Sequence, residues 1–226
     1  MTSAAPTPPT GAVAVVLAAG AGRRFGGPAA AGPLGARGVA SKLTAVVDGR
    51  PLLAHALDVA RAAGIERVRL VVPGDDPDEA AAHLAEDLRG VPLDGVDVRT
   101  NPDRDRGMAS SLAVGVAGLA DDPTCDAVVV LLADEVGLRP AAIDVVVAAV
   151  RAGAPAARAR YPEGPGHPVA FAREALRHLG SVTGDVGARA VLADLGAVEV
   201  PVAGRRPVDV DTPDDLAALG GTGAPT

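Results

Sequence analysis

Between residues 11 and 219 the chain alternates short, unbroken apolar runs with longer stretches in which apolar positions recur every three or four residues. Ala12 to Leu17 is continuous, rich in Val and too short for an ordinary helix, so it predicts a strand buried on both faces. Arg67 to Val72 and Ala127 to Leu132 have the same character, and Val96 to Arg99 is a weaker version. Helical patterns separate them. Pro51 to Ala63 opens with proline at a first-turn position and stops at Gly64. Asp78 to Arg89 places Ala80, His83, Leu84 and Leu88 on one face, and Ser110 to Leu119 and Pro140 to Arg151 continue the series. Strand and helix alternating at this spacing imply right-handed crossovers and an α/β fold with a mostly parallel sheet. Ligands of such a sheet bind beyond the carboxyl ends of the strands.

Past residue 152 the pattern loosens. Ala156 to Tyr161 and His167 to Phe171 predict two short strands joined by the turn-rich Pro162-Glu163-Gly164-Pro165-Gly166, forming a small antiparallel addition over the sheet. Residues 186–194 and 213–219 predict short helices, and Val198 to Val202 and Pro207 to Val210 late strands. Residues 1–10 and 220–226 consist mostly of Pro, Ala, Ser, Thr and Gly and are expected to be disordered tails around one domain, 11–219. The Gly/Ala/Pro stretch Gly26 to Gly38 reads as a flexible loop.

Composition narrows the class. Apolar residues make up 48% of the 226, yet aromatics are 1%, so the core has to be assembled from Val, Leu and Ala. A net charge of −7 and the scarcity of stacking platforms exclude a nucleic-acid surface. Cys125 is the lone cysteine, so no intrachain disulfide forms. Gly11 to Gly22 has the length of a signal-peptide core, but no Lys or Arg precedes it. With no run of roughly 20 apolar residues, no membrane span is expected and the cytoplasm is the expected location.

Candidate chemistry begins where the first strand runs into Leu17-Ala18-Ala19-Gly20-Ala21-Gly22-Arg23-Arg24-Phe25-Gly26. Glycines let backbone N–H groups approach an anion, and Arg23 and Arg24 bring the charge that suits phosphate. A dinucleotide fingerprint would need glycine at Phe25, and no Gly-Lys-Ser/Thr follows to make a Walker A loop. Lys42 is the single lysine in a chain that otherwise uses arginine, which marks a position for a compact ammonium, such as one on a nucleotide phosphate. Asp134 follows the buried run ending at Leu132, where Mg²⁺ and phosphates would gather. Asp209 and Asp211 share one face of an extended segment, although Asp211 also stands where it would cap a helix opened by Pro213. Ser110 and Ser111 either cap the helix they begin or let its N-terminus meet a substrate phosphate. His167, before Pro168, either binds a substrate phosphate or orders its loop.

Six segments in order then carry a resemblance: Leu17-Ala18-Ala19-Gly20-x-Gly22-x-Arg24-x-Gly26; Lys42 with Gly49-x-Pro51-Leu52-Leu53; Gly107-Met108-Ala109-Ser110-Ser111-Leu112; Gly166-His167-Pro168; Gly184-Asp185-x-Gly187-Ala188-Arg189; and Asp209-Val210-Asp211-Thr212-Pro213-x-Asp215-Leu216. Together they look like the MobA-like nucleotidyltransferases, and within them the molybdenum-cofactor cytidylyltransferase branch, over residues 12–219. Ala19, where the guanylyl branch has glycine, is similar to the cytidylyl one. The resemblance implies a Rossmann-like three-layer nucleotidyltransferase fold and transfer of CMP from CTP to a molybdopterin-type cofactor, with Mg²⁺ and release of pyrophosphate. It implies that Leu17, Ala18, Ala19, Gly20, Gly22 and Arg23 line the nucleotide site and that Arg24 and Lys42 contact the triphosphate. Asp134 would bind the metal, helped by Asp209 and Asp211, and Ser110, Ser111, His167 and Arg189 would lie on the acceptor side. A molybdoenzyme or its chaperone is the implied partner. Two departures stand out: Asp134-Glu135-Val136 replaces the family's usual Asp-Gln-Pro, and the loop before Lys42 is longer than usual. Another NTP, another phosphorylated acceptor, or a non-catalytic cofactor chaperone stay open as alternatives.

Overall fold

The computed structural model describes residues 11–19, 42–87, 91–179 and 187–221. Seven strands form the central sheet: β1 (Gly11–Leu17), β4 (Arg67–Pro73), β5 (Val96–Asn101), β6 (Cys125–Leu132), β8 (Ala156–Tyr161), β9 (Gly164–Ala172) and β10 (Val198–Pro201). They lie in the order β10-β8-β9-β6-β1-β4-β5, and β9 alone runs antiparallel to its neighbours. Two short antiparallel pairs sit outside it: β2 (Val46–Val47) with β3 (Arg50–Pro51), and β7 (Glu135–Val136) with β11 (Val208–Asp209).

The unbroken apolar runs follow from burial on both sides. Along β1, Ala14 and Val16 face one hydrophobic cluster while Val13, Val15 and Leu17 face another. The first cluster is completed by α1 (Leu52–Ala62), α2 (Pro77–Asp87) and α4 (Pro140–Arg151), through Leu53, Leu57, Leu84, Ile143 and Val146. The second is completed by α3 (Met108–Val116), α5 (Leu176–Leu179) and α6 (Gly187–Asp194), through Leu112, Val116, Leu176 and Val191. This is the expected Rossmann-like, three-layer arrangement. A third, smaller cluster of Ala45, Val47, Leu52, Val210 and Leu216 joins the β2–β3 hairpin to α7 (Pro213–Ala218). No helix among the described residues is long and apolar enough to cross a membrane.

Three local expectations change. The strand expected from His167 begins at Gly164, and β8 and β9 are not laid over the sheet but extend its edge, with Val128 paired to Phe171 and Val130 to Val169. The apolar alternation of Val169 and Phe171 can be satisfied in the plane of the sheet, where ladder hydrogen bonds to β6 are also available. Helix α3 begins at Met108, so Ser110 and Ser111 lie inside its first turn and do not cap it; Gly107 stands at the cap with no side chain to offer. Gly220 and Gly221, at the start of the expected C-terminal tail, both donate backbone hydrogen bonds to α7, to Ala217 and Leu216. The N-terminal tail, residues 222–226 and the loop Gly26 to Gly38 lie outside the described residues.

Helix α3 approaches the sheet at Gly115. A Cβ added there would stand 2.4 Å from Cγ1 of the fully buried Val15 and 3.2 Å from Cγ2 of Val71. Gly115→Ala gains up to about 1 kcal/mol of helix propensity but forces over-packing that costs about 1–3 kcal/mol. The expected result is a net loss of about 1 kcal/mol or more, read as a lower urea midpoint at unchanged slope.

Candidate active site

Two parallel strands deliver the site. The chain proceeds from β1 outward to β4 and β5 and then returns to the other side of β1 as β6, so the winding reverses between β1 and β6. A crevice opens beyond the carboxyl ends at such a reversal. Leu17 and Leu132 are register partners there. The Ala133 amide still donates to the Leu17 carbonyl at 3.1 Å, and the Ala18 amide to Val71 at 2.8 Å. Asp134 is therefore the first residue of its strand to leave the ladder, beside Ala18 and Ala19 of the N-terminal turn.

The second carboxylate source is aimed by the β7–β11 ladder. Asp209 pairs with Glu135, and the Val210 amide donates to the Asp134 carbonyl at 2.9 Å. Val210 is fully buried in the small third cluster, which anchors the segment from below. Thr212, not Asp211, caps α7: its hydroxyl accepts from the Asp215 amide at 3.1 Å, and the Asp215 carboxylate accepts from the Thr212 amide at 2.8 Å. The Thr212 hydroxyl, which donates to the Asp215 carboxylate at 2.7 Å, and then the Thr212 amide hold the Asp215 carboxyl below its ordinary pKa. Asp211 is left to turn its side chain elsewhere.

It turns to Lys42. The ammonium donates to Asp134 Oδ2 at 2.7 Å and to Asp211 Oδ1 at 3.0 Å, with the lysine side chain only 10% exposed. Lys42 is positioned from behind by a helical turn and by the hairpin that follows, whose Asp48-Gly49 turn has positive φ at both residues. Next to this cluster Glu135 is buried, with Oε1 2.8 Å from His167 Nδ1 and Oε2 buried without a partner among the described residues. Tyr161 Oη donates to the His167 carbonyl at 2.7 Å, fixing the residue from its backbone side.

The electrostatics are lopsided. Four carboxylates (Asp134, Glu135, Asp209 and Asp211) crowd around one ammonium. Burial, then the Glu135 and Asp134 charges, push the Asp209 carboxyl above its usual range, with Arg206 opposing. Burial by itself would lower the His167 pKa, but the Glu135 hydrogen bond and charge, with Asp209 and Asp134 behind it, outweigh burial and raise it. No group of three or more His, Cys, Asp or Glu among the described residues is arranged to hold a metal ion by itself. What the cluster offers instead is a pair of carboxylates converging on one point. That donor set fits a hard cation which takes one or two carboxylates and completes its shell with phosphate oxygens.

The expected site residues distribute as follows. Leu17, Ala18, Ala19, Lys42, Asp134, Asp209 and Asp211 gather at the β1–β6 crevice, with His167 alongside through Glu135. Gly20, Gly22, Arg23 and Arg24 lie outside the described residues. Arg189 belongs to α6, but its side chain also lies outside them. Ser110 and Ser111 are not brought to the cluster. Their hydroxyls accept from the buried Asn101 Nδ2, at 2.9 Å each, at the end of β5. That strand is three sheet positions from β6, about 14 Å across. Glu135, Tyr161 and Asn101 went unnoticed as site residues. For Glu135 a signal existed, a second carboxylate directly after a candidate metal ligand in an apolar setting. A cavity of about 830 Å³ opens at the opposite, amino edge near Gly11, Gly64 and Thr124. Its arginines Arg67 and Arg151 are already paired to Asp122 and Asp126, and it holds no comparable chemistry.

Residues 14–200 match the MobA-like NTP transferase domain. The chain belongs to this family. As a MobA-like NTP transferase it is a nucleotidyltransferase. The sequence matches no curated protein. Among solved structures it is similar to Rv0371c from Mycobacterium tuberculosis H37Rv, with 30% identity over 93% of this chain and 97% of that one and a TM-score of 0.73. The same mycobacterial protein has been solved as a complex with manganese, at 30% identity, 93% and 98% coverage and a TM-score of 0.70. The Rv0371c homologue from Mycobacterium sp. strain JC1 follows at 29%, covering 92% of this chain and 94% of its own, with a TM-score of 0.70.

The Glu135–His167 pair is testable by titration. A histidine whose pKa is raised by folding contributes stability that is complete below its unfolded value of 6.5 and fades as the pH climbs through the folded one. In Glu135→Gln the Glu135 charge is lost and burial is opposed only by Asp209 and Asp134, so NMR titration should find the His167 pKa above 6.5 in the wild type and lower in the variant. The stability advantage of the wild type over the variant should narrow in urea unfolding as the pH rises above 6.5 and through the raised His167 pKa. Equal imidazole pKa values in both proteins would show that Glu135 does not govern the ring.

Proposed function

We propose that the protein transfers CMP from CTP to a molybdopterin-type cofactor, releasing pyrophosphate in a Mg²⁺-dependent reaction. The observation that carries this reading is the convergence of Lys42, Asp134 and Asp211, 92 and 169 residues apart in sequence, at the winding reversal of a nucleotidyltransferase sheet. The CTP preference rests on Ala19, which carries a methyl group where the guanylyl branch has glycine, and on the six ordered segments. The manganese complex of the 30% identical mycobacterial protein is consistent with a divalent cation in this family.

In this reading an oxygen of the acceptor's terminal phosphate attacks the α-phosphorus of CTP. The new P–O bond forms as the bond from the α-phosphorus to the bridging oxygen breaks, and that electron pair leaves with pyrophosphate. A phosphate is already nucleophilic at neutral pH, so no activated Ser or His is required. Asp134, helped by Asp209 and Asp211, would hold Mg²⁺, which when bound neutralises charge on the triphosphate. Lys42 exchanges a carboxylate for a phosphate oxygen and, with Arg24, orients the triphosphate in line with the acceptor. His167, fixed by Glu135 and Tyr161, presents the far face of its ring to the acceptor. The partially pre-neutralised carboxylates cost little reorganisation at the moment of reaction, since they are already gathered.

The deciding experiment measures pyrophosphate release with molybdopterin and CTP, GTP or ATP, with and without Mg²⁺. CTP should support the fastest turnover, and release that is indifferent to molybdopterin would refute the assignment. Asp134→Ala should lower kcat about 100-fold or more, as expected for one preorganised electrostatic contact worth about 3 kcal/mol, while the protein stays folded. Turnover within a few-fold of wild type would remove Asp134 from the metal site.

A further inference from the structure

Most arginines with described side chains are neutralised by a neighbour: Arg67 by Asp122, Arg69 by Asp97, Arg151 by Asp126, Arg158 and Arg160 by Glu199. Arg139 is different. It is exposed, and its side chain forms no hydrogen bond or ion pair with a described residue. It is nevertheless held. A Cβ built on Gly204 would stand 2.3 Å from its Nη2, 2.7 Å from Cζ and 2.8 Å from Nη1, so the guanidinium end packs against that glycine in space a side chain would fill. Gly204 has φ +89°, a conformation that glycine adopts without strain. A parallel packing stands beside it: the Arg206 stem crosses Gly166, where a Cβ would be 3.0 Å from both Cγ and Cδ, against the Tyr161 ring.

The place matters as much as the posture. Strands β6, β8 and β10 run in one direction, so Asp134, Tyr161 and the turn containing Gly204 leave the sheet along the same edge. Arg139 itself lies five residues beyond Asp134, and its charge reaches the Tyr161 hydroxyl. Burial and the Glu135 carboxylate push that hydroxyl up to about 12, and Arg139 opposes them. Along this edge an approaching anion meets Asp134, Glu135, Asp209 and Asp211, while Lys42 is divided between two of them. Arg206 is turned toward Asp209, with 3.8 Å between Nη2 and Oδ2. Arg139, like the exposed Arg205 beside Gly204, has no such commitment among the described residues, and of the two it is Arg139 whose charge reaches the Tyr161 hydroxyl. A guanidinium that forms no ion pair among the described residues is able to grip a phosphate with two parallel hydrogen bonds.

We propose that Arg139, laid against Gly204, is the phosphate anchor of the acceptor substrate, a phosphate monoester held on the β8 side of Asp134. This rests on the nucleotidyltransferase reading above and deepens it, dividing the site into a triphosphate half at Lys42 and an acceptor half at Arg139.

Three variants test it: Arg139→Ala, Arg139→Lys and Gly204→Ala, the last removing no charge but displacing the guanidinium. With CTP and molybdopterin, Arg139→Ala should raise the KM for molybdopterin at least tenfold and leave the KM for CTP within twofold. Arg139→Lys should recover part of the loss, and Gly204→Ala should reproduce it in part. An unchanged molybdopterin KM in Arg139→Ala, or an equal rise for CTP, overturns the proposal. Calorimetric titration with inorganic phosphate and, separately, molybdopterin, without divalent metal, is independent of turnover. A tenfold weaker affinity of Arg139→Ala for either ligand supports the anchor; if only phosphate shows it, the acceptor is a phosphate monoester other than molybdopterin. Equal affinities in wild type and variant, or no binding by the wild type, overturn it. Should no NTP yield pyrophosphate while the binding contrast persists, the transfer reading fails and the anion anchor stands.

Discussion

The Lys42 ammonium between Asp134 and Asp211 is the interaction on which the catalytic edge depends. Two carboxylates about 4 Å apart repel by about 4 kcal/mol at the effective dielectric of a protein surface, and here Glu135 and Asp209 add to the crowd. One ammonium, 10% exposed, lets three chain segments meet: the stretch before the β2–β3 hairpin, the end of β6 and the turn into α7. None of these contacts is local, so the cluster can form only once the sheet and its covering helices are in place. The small cluster of Ala45, Val47, Leu52, Val210 and Leu216 supplies the apolar burial that holds the outer segments down.

A division of labour follows. The seven-stranded sheet sets where the backbone ends, and the two-residue ladder between β7 and β11 sets where the carboxylates point. Short pairs of this kind are marginal alone. This one is supported by Val210 below it and by the capping box of Thr212 and Asp215 beyond it, which relieves Asp211 of capping. The excess of negative charge favours an incoming cation and disfavours a bare anion. On the function proposed above, a triphosphate would be best received together with its metal, and a second anionic substrate would need a cation of its own.

The side proposed for the acceptor is built from different parts. Glu135, His167 and Tyr161 form a chain of hydrogen bonds across β7, β9 and β8, and glycines at 166 and 204 allow two arginine side chains to lie close to the backbone. The replacement of the family's usual Gln-Pro by Glu135-Val136 acquires a physical meaning here. The carboxylate holds the histidine ring, and Val136 has the amide hydrogen that proline lacks, in a strand paired with β11.

From the sequence alone, β1, β4, β6 and helices α1, α2 and α4 could be read, because burial on two faces or one writes itself locally as a continuous run or a 3.6-residue period. The residue types of the site were legible for a related reason: a lone lysine, an aspartate at a strand end and an Asp-x-Asp segment each stand out against their surroundings. Their meeting was not legible, since separations of 92 and 169 residues are closed by strand order and not by any local pattern. The same holds for the misjudged details. Ser110 and Ser111 look like caps until Asn101, on another strand, claims both hydroxyls, and β9 looks like an overlay until its pairing with β6 places it in the sheet. Sequence fixes what a segment can do with its own neighbours; which carboxylate meets which ammonium is decided by packing, where the low dielectric of the assembled fold makes one arrangement far better than the rest.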